Sequence, residues 1–368
     1  MNVIESKFPS LQTNFRKKLR RVCAKRARDM LTTTSVTFFK SEEGIQYLLS
    51  VSLDGNLTIW NLNYSKPSSG TRKRHTNDEF VFQVKVSDQP LFDIVELDST
   101  RLACCGTDGV MILDWRYIHA NKCKESVTDH IIHLNASSDS NVPITSLSVG
   151  SGMLFAAASK QAYIWDIEDC ELIGTLHNKN LLPESIQVLQ VYGSDQECEI
   201  LTGGKDRLCF WDGNDRRLLH EINLSDSKHD VTKQLCDLSM NIQCIKVDND
   251  ASWAVIGGEC SNSIEGQGFI ALINIRTRSL CDFYFTREII HDVSYHSKGI
   301  ISVGNESVVS FWNLFLGEER LERSNVSLQS CHCIAVDRNS QAIAIAGVGR
   351  EVSFFTKHWF QSSTLEYP

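Results

Sequence analysis

Two stretches of this 368-residue chain contain residues whose types and spacing could support chemistry. His130 and His133, in DHIIHL, could share a helical face and ligate a metal ion. No cysteine or carboxylate stands at ligand spacing, so a structural or surface pair is favoured. GGECSNSIEGQG at 257–268 is rich in glycine, as phosphate-binding loops are. It lies between predicted strands and lacks the helix N-terminus that a phosphate site uses, so a long hairpin loop is the better interpretation.

Carboxylates are the remaining candidates. Asp54, Asp108, Asp206 and Asp212 fall at predicted turns and strand ends. General acid catalysis needs two carboxyl groups that converge in one pocket, and the sequence gives no reason to expect convergence here. No GxSxG elbow and no Walker A loop occurs. The sequence therefore predicts a protein that is not an enzyme, with no catalytic residue, no cofactor and no metal site.

Composition restricts the class further. The chain has 13 cysteines, an odd number, without a CxxC pair, which favours free, packed thiols in a reducing compartment over disulfides. No apolar run approaches the ~18 residues of a membrane span, and MNVIESKFPS lacks a secretory core. A formal net charge of −8 argues against a general polyanion binder. A soluble, non-secreted protein is expected.

The elements that hold these residues repeat along the chain. The clearest copy is ILTGGKDRLCFWD at 200–212, which predicts two short antiparallel strands joined by a turn at Lys205-Asp206. Such a hairpin is too small to be stable alone. Similar copies occur at 48–62, 101–115, 154–167, 253–275, 300–314 and 342–356. Each copy places a large apolar residue near its end: Trp60, Trp115, Trp165, Trp211, Ile273, Trp312 and Phe355. Three copies carry an aspartate in the turn: Asp54, Asp108 and Asp206.

Seven copies predict an all-β, seven-bladed propeller over 32–368, preceded by a basic segment at 1–31. The copies lie roughly 40 to 60 residues apart, against ~40–45 for a minimal propeller repeat, so most carry loop insertions. Each copy has room for four strands, and the large residue would end the third strand and fill the wedge between blades. Unrelated hairpins in a sandwich or barrel are the alternative. Ring closure stays open: residues 360–367, or residues before Phe15, could supply the last outer strand.

Two basic segments stand out. NFRKKLRRVCAKRARDML at 14–31 predicts a short amphipathic helix with seven cations between Lys17 and Arg28. Three interpretations of its basic face stay open: a solvated face of a docked helix, a nuclear-import signal, or a contact for nucleic acid or an acidic partner. The loop SKPSSGTRKRH reads as a disordered polar insertion or a second contact. The candidate partner contacts are Arg16, Lys17, Lys18, Arg20, Arg21, Arg72, Lys73 and Arg74. Aromatic residues are not interleaved with these cations, so any RNA contact is expected to be weak or indirect.

The copies resemble WD40 repeats, although Trp-Asp occurs only at 165–166 and 211–212 and the usual Gly-His element is eroded. That erosion leaves the buried His-Ser-Asp-Trp network in question. A narrower resemblance rests on the basic lead-in and on three blocks: EILTGGKDRLCFWD, CIKVDNDASWAVIGG and ISVGNESVVSFWNL. Together they are similar to the family of THO complex subunit 6.

That resemblance implies a non-catalytic scaffold of the nuclear THO/TREX assembly, which links transcription and splicing to messenger-RNA export. It also implies nuclear localisation, contacts with the coiled-coil THO subunits 5 and 7, and a role in joining THO copies. The candidate contact regions are the basic segment and the insertions at 119–143 and 224–242. The alternatives are a scaffold of another ribonucleoprotein and a substrate receptor of a cullin-type ubiquitin ligase. Ligase receptors commonly carry Trp-Asp-x-Arg, which neither Trp-Asp site has. A third hypothesis is a hydrolytic propeller. Bound metal and a cluster of convergent carboxylates in the channel would distinguish it from a scaffold.

Overall fold

Short alternating apolar segments between turn residues form strands throughout the structure, a computed structural model. The residues that it describes are 31–63, 81–121, 128–135, 143–177, 186–194, 196–225, 238–261, 267–297, 299–313, 322–337, 339, 342–355 and 361–367. These contain 28 strands in seven four-stranded antiparallel sheets. Each sheet is one blade, and its four strands are consecutive in the chain.

The first four blades cover the N-terminal part of the described chain. Blade 1 consists of β1 Thr33–Lys40, β2 Gln46–Ser52, β3 Asn56–Asn61 and β4 Val81–Lys85. Blade 2 consists of β5 Leu91–Glu96, β6 Arg101–Gly106, β7 Gly109–Asp114 and β8 Ile132–Leu134. Blade 3 consists of β9 Ser146–Gly150, β10 Met153–Ala158, β11 Gln161–Asp166 and β12 Leu172–Leu176. Blade 4 consists of β13 Val188–Gly193, β14 Cys198–Gly203, β15 Arg207–Asp212 and β16 Arg217–Asn223.

Three further blades complete the set. Blade 5 consists of β17 Ser239–Val247, β18 Trp253–Ser261, β19 Gly268–Asn274 and β20 Ser279–Thr286. Blade 6 consists of β21 Ile290–His296, β22 Gly299–Gly304, β23 Val308–Trp312 and β24 Glu322–Asn325. Blade 7 consists of β25 Ser330–Val336, β26 Ile343–Val348, β27 Glu351–Phe355 and β28 Gln361–Glu366. A helix, α1 (Trp115–Ala120), and a 3₁₀ turn, Thr128–His130, lie between β7 and β8.

The blades form a closed ring. The first strand of each blade neighbours the first strands of the blades before and after it, and β1 neighbours β25. These strands line a central channel. Because the strands of a blade alternate in direction, the connections between blades and the turns between second and third strands share one face, here the connection face. The other turns lie on the opposite face, here the hairpin face. The prediction of an all-β seven-bladed propeller is confirmed, whereas the predicted N-terminal helix lies outside the described residues.

The core lies between blades, where the third strands bring their apolar side chains. Six of the seven predicted large residues are buried at the last or second-last position of a third strand: Trp60, Trp165, Trp211, Ile273, Trp312 and Phe355. Their partners on the second strand are equivalent from blade to blade. Trp165 stands opposite Leu154 in blade 3, for example, and Trp211 stands opposite Ile200 in blade 4.

The prediction that Trp115 lies at the end of a third strand is wrong. Trp115 is the first residue of α1 rather than part of a strand, and Leu113, opposite Leu102, takes the equivalent place in blade 2. The chain turns at Asp114, whose carboxylate accepts a hydrogen bond from the Tyr117 N–H (3.1 Å) and caps the helix. Trp115 still fills the wedge between blades 1 and 2, because its ring packs against Phe39 at a centroid distance of 4.7 Å.

Ring closure, which the sequence left open, is now defined. β28 is the outer strand of blade 7, so blades 1 and 7 are each built from a continuous stretch of chain. Their interface, here called the seam, is closed by Tyr367. Its hydroxyl lies 2.5 Å from Thr33 Oγ1 and 3.2 Å from Ser50 Oγ, and its ring meets Trp60 edge-on at 5.0 Å. The Gly349 N–H also donates to the carbonyl of Leu31 (3.0 Å).

All ten cysteines within the described residues are free thiols, and most are buried. A helix long and apolar enough to span a bilayer does not occur in the part of the chain that the structure describes.

Candidate functional site

The turn aspartates hold neighbouring blades together. Ser87, which precedes blade 2, donates a hydrogen bond of 2.6 Å to the Asp108 carboxylate. Asp54 accepts bonds from Ser52 and from the Asn56 amide (2.8 Å) inside its own turn. The adjacent Gly55 has φ +79°, and a Cβ there would lie 1.9 Å from the carbonyl oxygen of Ser87. Only glycine permits this close approach between the turn and the connection to blade 2.

Asp206 joins blade 4 to blade 5. Its backbone has φ +57°, a left-handed conformation that aspartate tolerates better than most residues. Its carboxylate accepts a hydrogen bond of 2.6 Å from the Met240 N–H, and its own N–H donates to the Met240 carbonyl (2.7 Å). Asp212 has a more local role, since it accepts bonds from the Asn214 and Asp215 N–H groups in the next turn. Each aspartate is engaged in turn or interblade geometry.

The two predicted chemical stretches do not form sites. His130 ends a 3₁₀ turn with its ring centroid 3.8 Å from that of Tyr117, whereas His133 is exposed on β8. The two therefore do not share a helical face, which corrects the geometry behind that metal hypothesis. β18 and β19 pair as a hairpin, but residues 257–261 belong to β18 and Gly268 begins β19, so the loop is shorter than the predicted 257–268. Within the described residues, no group of three or more metal-ligating side chains occurs.

The basic candidates lie outside the described residues: Arg16, Lys17, Lys18, Arg20, Arg21, Arg72, Lys73 and Arg74. The insertions at 119–143 and 224–242 are described only in part, at α1, the 3₁₀ turn, β8 and the first residues of β17.

Part of the hydrogen-bond network that the sequence left in question is present. The Trp211 indole N–H donates to Thr202 Oγ1 (2.9 Å), and that of Trp312 donates to Ser302 Oγ (2.8 Å). In both pairs the hydroxyl stands on the second strand and the indole on the third, and both side chains are buried. A buried indole N–H needs such an acceptor, so these pairs fix the two rings within the core.

Polar side chains of the first strands converge in the channel, a cavity of about 1320 Å³. One end is at the connection face, where each first strand begins. Seven residues, each on a first strand or directly before one, line the channel at that end: Thr34, Phe92, Thr145, Gln187, Gln243, His291 and His332. Asp93, Lys246 and Asp292 lie further along the same strands and line the same cavity. The channel therefore brings titratable groups from several blades to face one space.

Asp93 and Asp292 link successive first strands. Asp93 accepts hydrogen bonds from Ser35 Oγ of blade 1 (2.8 Å) and from the Leu147 N–H of blade 3 (2.9 Å). Asp292 of blade 6 accepts one from the Ile334 N–H of blade 7 (2.8 Å). Both also accept a bond from the N–H of the residue that follows them. Their oxygens thus satisfy backbone donors that the inner edges of neighbouring blades would otherwise leave unpaired.

Burial changes the charge state of these carboxyl groups. Desolvation raises the pKa of Asp292 to about 6, although the Lys246 ammonium and the two N–H donors act against it. Desolvation also raises the pKa of Asp93, and its hydrogen bonds and Lys246 again oppose the shift. Lys246, on β17 of blade 5, therefore acts electrostatically on both carboxyl groups.

Two histidines lie at the connection-face end of the channel. The ring centroids of His291 and His332 are 4.9 Å apart, with an angle of 65° between the planes. His291 Nδ1 lies 2.8 Å from Gln243 Oε1, and His332 Nε2 lies 2.9 Å from Ser330 Oγ. Desolvation lowers the pKa of His291 to about 4 and also lowers the pKa of His332. Both imidazoles are consequently neutral at pH 7.

The sequence reasoning did not identify these channel residues. Their signal was present: Leu91-Phe92-Asp93-Ile94 and Ile290-His291-Asp292-Val293 share an apolar-x-Asp-apolar pattern at the start of a first strand. Aligning the first strands, in addition to the second and third, would have found it.

No protein-family model matches the chain. The search of curated proteins likewise finds no match.

Proposed function

We propose that this chain is a non-catalytic scaffold subunit of a nuclear THO/TREX assembly that couples transcription and messenger-RNA processing to export. The supporting observation is that two carboxyl groups in its channel hold neighbouring blades together by hydrogen bonds. In a propeller that acts on a substrate, acidic groups in the channel would be free to exchange protons with it. Here Asp93 and Asp292 are bonded to the backbone of neighbouring blades. A rigid ring with many loops on two faces then suits the binding of several protein partners.

The resemblance to the family of THO complex subunit 6 supplies the identity of those partners. Its three sequence blocks fall on β14–β15, β17–β18 and β22–β23, within blades 4, 5 and 6. The expected partners are the coiled-coil THO subunits 5 and 7. The basic segment, with Arg16, Lys17, Lys18, Arg20 and Arg21, is proposed to act in nuclear import or partner capture.

Affinity purification of the full-length chain from nuclear extract tests the proposal. The expected result is co-purification of THO subunits 5 and 7 that survives nuclease treatment, because the proposed contacts are between proteins. Recovery of a cullin-ligase adaptor in their place would overturn it and favour the ubiquitin-ligase alternative.

A pair of charge variants tests the basic segment. Replacing Arg16, Lys17, Lys18, Arg20 and Arg21 by glutamine should reduce nuclear accumulation or partner recovery. The matched control replaces five exposed cations of the blades by glutamine and should leave both unchanged: Lys160, Lys205, Arg276, Arg287 and Arg350. Unchanged localisation and recovery in the first variant would leave the segment as a solvated helix face.

A further inference from the structure

His291 and His332 belong to adjacent blades and face each other across a blade interface. They occupy equivalent positions in their blades. In each case the pairing of the first strand with the second shifts register at the histidine, between Ile290 and Asp292 in blade 6 and between Cys331 and Cys333 in blade 7. Both line the channel at the connection face. Neither side chain is fully buried, so an ion or small molecule in the channel can reach them.

Each ring has one nitrogen engaged and one nitrogen open. Gln243 Oε1 accepts from His291 Nδ1, so that nitrogen carries the proton and His291 Nε2 keeps its lone pair. The Ser330 hydroxyl can rotate to accept from His332 Nε2, which leaves the lone pair on His332 Nδ1. Among the described residues the open nitrogens have no hydrogen-bond partner. Metal-binding histidines commonly hold their second nitrogen on an acceptor in this way.

The ring separation suits joint coordination of one ion. With a metal–nitrogen distance of ~2.0–2.1 Å, each centroid lies about 3.2 Å from a metal on its nitrogen axis. For an ion that lay on both nitrogen axes, two centroids 4.9 Å apart would subtend roughly 100°, between the ideal angles of octahedral and tetrahedral coordination.

The surrounding charges favour a cation over an anion. The acidic residues that line the same channel outnumber the basic ones: they are Asp93, Glu96, Asp248, Asp250, Asp292 and Asp337, against Lys40 and Lys246.

We propose that His291 and His332 form a two-imidazole site for a divalent first-row transition metal of the Zn²⁺ and Cu²⁺ class at the connection-face end of the channel. Nitrogen ligands select this class over Mg²⁺ and Ca²⁺. Because no third metal-ligating side chain joins the pair among the described residues, the other positions are filled by water or by a donor from outside. Gln243 is a positioning residue that fixes the tautomer of His291. The site is independent of the scaffold function.

Titration calorimetry of the full chain with Cu²⁺ and with Zn²⁺ measures the site directly. The double variant His291→Gln/His332→Gln should lose one equivalent of metal relative to the unmodified protein. Each single variant should weaken that equivalent tenfold or more, and Gln243→Ala should weaken it roughly 10- to 100-fold by releasing the ring. Electron paramagnetic resonance of the Cu²⁺ form should show two coordinated nitrogens that the double variant lacks.

Two exposed histidines give matched controls. His133→Gln on β8 and His220→Gln on β16 should leave the stoichiometry and affinity unchanged. Circular dichroism and the melting temperature of each metal-free variant show whether it is folded, and only folded variants are compared. Equal stoichiometry and affinity in the unmodified protein and a folded double variant would overturn the proposal, as would binding of Mg²⁺ with equal strength.

Discussion

Asp292 and His291 are adjacent residues, and burial shifts both towards their neutral forms. The consequences for stability have opposite signs, because one group is an acid and the other a base. The pKa of Asp292 is raised to about 6, whereas that of His291 is lowered to about 4. Between pH 4 and pH 6.5 the two effects oppose each other, so the native protein should show a weaker pH dependence of stability than either group alone would give.

Replacing Asp292 by asparagine should reveal one of these effects. The folded carboxyl binds its proton up to pH 6, whereas an unfolded aspartate releases it near pH 3.8. The folded state therefore holds more protons in this window, and the contribution of Asp292 to the free energy of unfolding falls as the pH rises. One pKa unit corresponds to ~1.4 kcal/mol. The difference in the free energy of unfolding between the unmodified protein and Asp292→Asn should therefore decrease by roughly 2 kcal/mol between pH 4 and pH 7. Urea unfolding across that range measures it.

His291→Gln provides the matched counterpart with the reverse slope. An unfolded histidine takes up a proton near pH 6.5, whereas the folded imidazole resists protonation down to about pH 4. Its contribution to stability is present above pH 6.5 and is lost as the pH falls. The difference in the free energy of unfolding between the unmodified protein and His291→Gln should therefore increase as the pH rises. Slopes of the same sign in the two variants would contradict the assignment of these pKa values.

At the scale of elements, the turn between β14 and β15 should depend on both the conformation and the carboxylate of Asp206. Asparagine keeps the tolerance for φ +57° and one acceptor for the Met240 N–H. Glycine keeps only the backbone freedom, and alanine keeps neither. Stability should fall in the order Asp206→Asn, Asp206→Gly, Asp206→Ala, with a loss of about 2–3 kcal/mol for alanine. Thermal unfolding measures the order, and equal losses for glycine and alanine would show that φ contributes nothing.

The indole–hydroxyl pair of blade 4 can be separated from simple packing by a double-mutant cycle. Trp211→Phe and Thr202→Val each remove one partner of the 2.9 Å hydrogen bond, and the double variant removes both. The coupling free energy should be about 0.5–1.5 kcal/mol. In blade 3 the position equivalent to Thr202 is Ala156, which has no hydroxyl. Trp165→Phe combined with Ala156→Val should therefore show no hydrogen-bond coupling, and equal coupling in both blades would attribute the effect to ring size.

The repeated second and third strands were predictable because their buried residues recur at fixed offsets from a turn. Trp60, Trp165 and Trp211 are each the second-last residue of a third strand and stand at the same register. Trp115 was misplaced because a large ring two residues beyond Leu113 imitates that pattern. The distinguishing feature is local, since Asp114 caps α1 and ends the strand before the tryptophan.

At the scale of the whole molecule, the channel could not be read from periodicity. Asp93 and Asp292 come from blades 2 and 6, and only closure of the ring places them in one cavity with Lys246 of blade 5. Each also accepts a local bond from the N–H of the next residue, but the bonds that show its role cross blade interfaces. A repeat predicts which residues are equivalent, but the number of blades and their curvature decide which of them meet.

Tyr367 should control the stability of the ring at the seam. Tyr367→Phe removes the contacts to Thr33 and Ser50 and should cost about 1–2 kcal/mol, while the contact with Trp60 is retained. Tyr367→Ala also removes the ring and should cost about 3–5 kcal/mol. Hydrogen exchange should accelerate in β1 and β25, the first strands on either side of the seam.

Tyr295→Phe is the control for this experiment. It removes a hydroxyl contact with the carbonyl of Trp253, between blades 5 and 6. Exchange at the seam should not change in that variant. Seam exchange that rises equally in both tyrosine variants would show a general loss of stability rather than opening at the seam.

The seam also determines when the propeller can be completed during synthesis. Its closing contact joins Thr33 to a residue 334 positions later in the chain. At a ribosomal rate of ~5–20 residues per second, the Trp60 side of blade 1 waits roughly 20 to 70 seconds for Tyr367 to be made. During that time the nascent ring is open, and an apolar blade edge is available to chaperones. Blade 1 is thus the first blade to be translated and the last to have its interface closed.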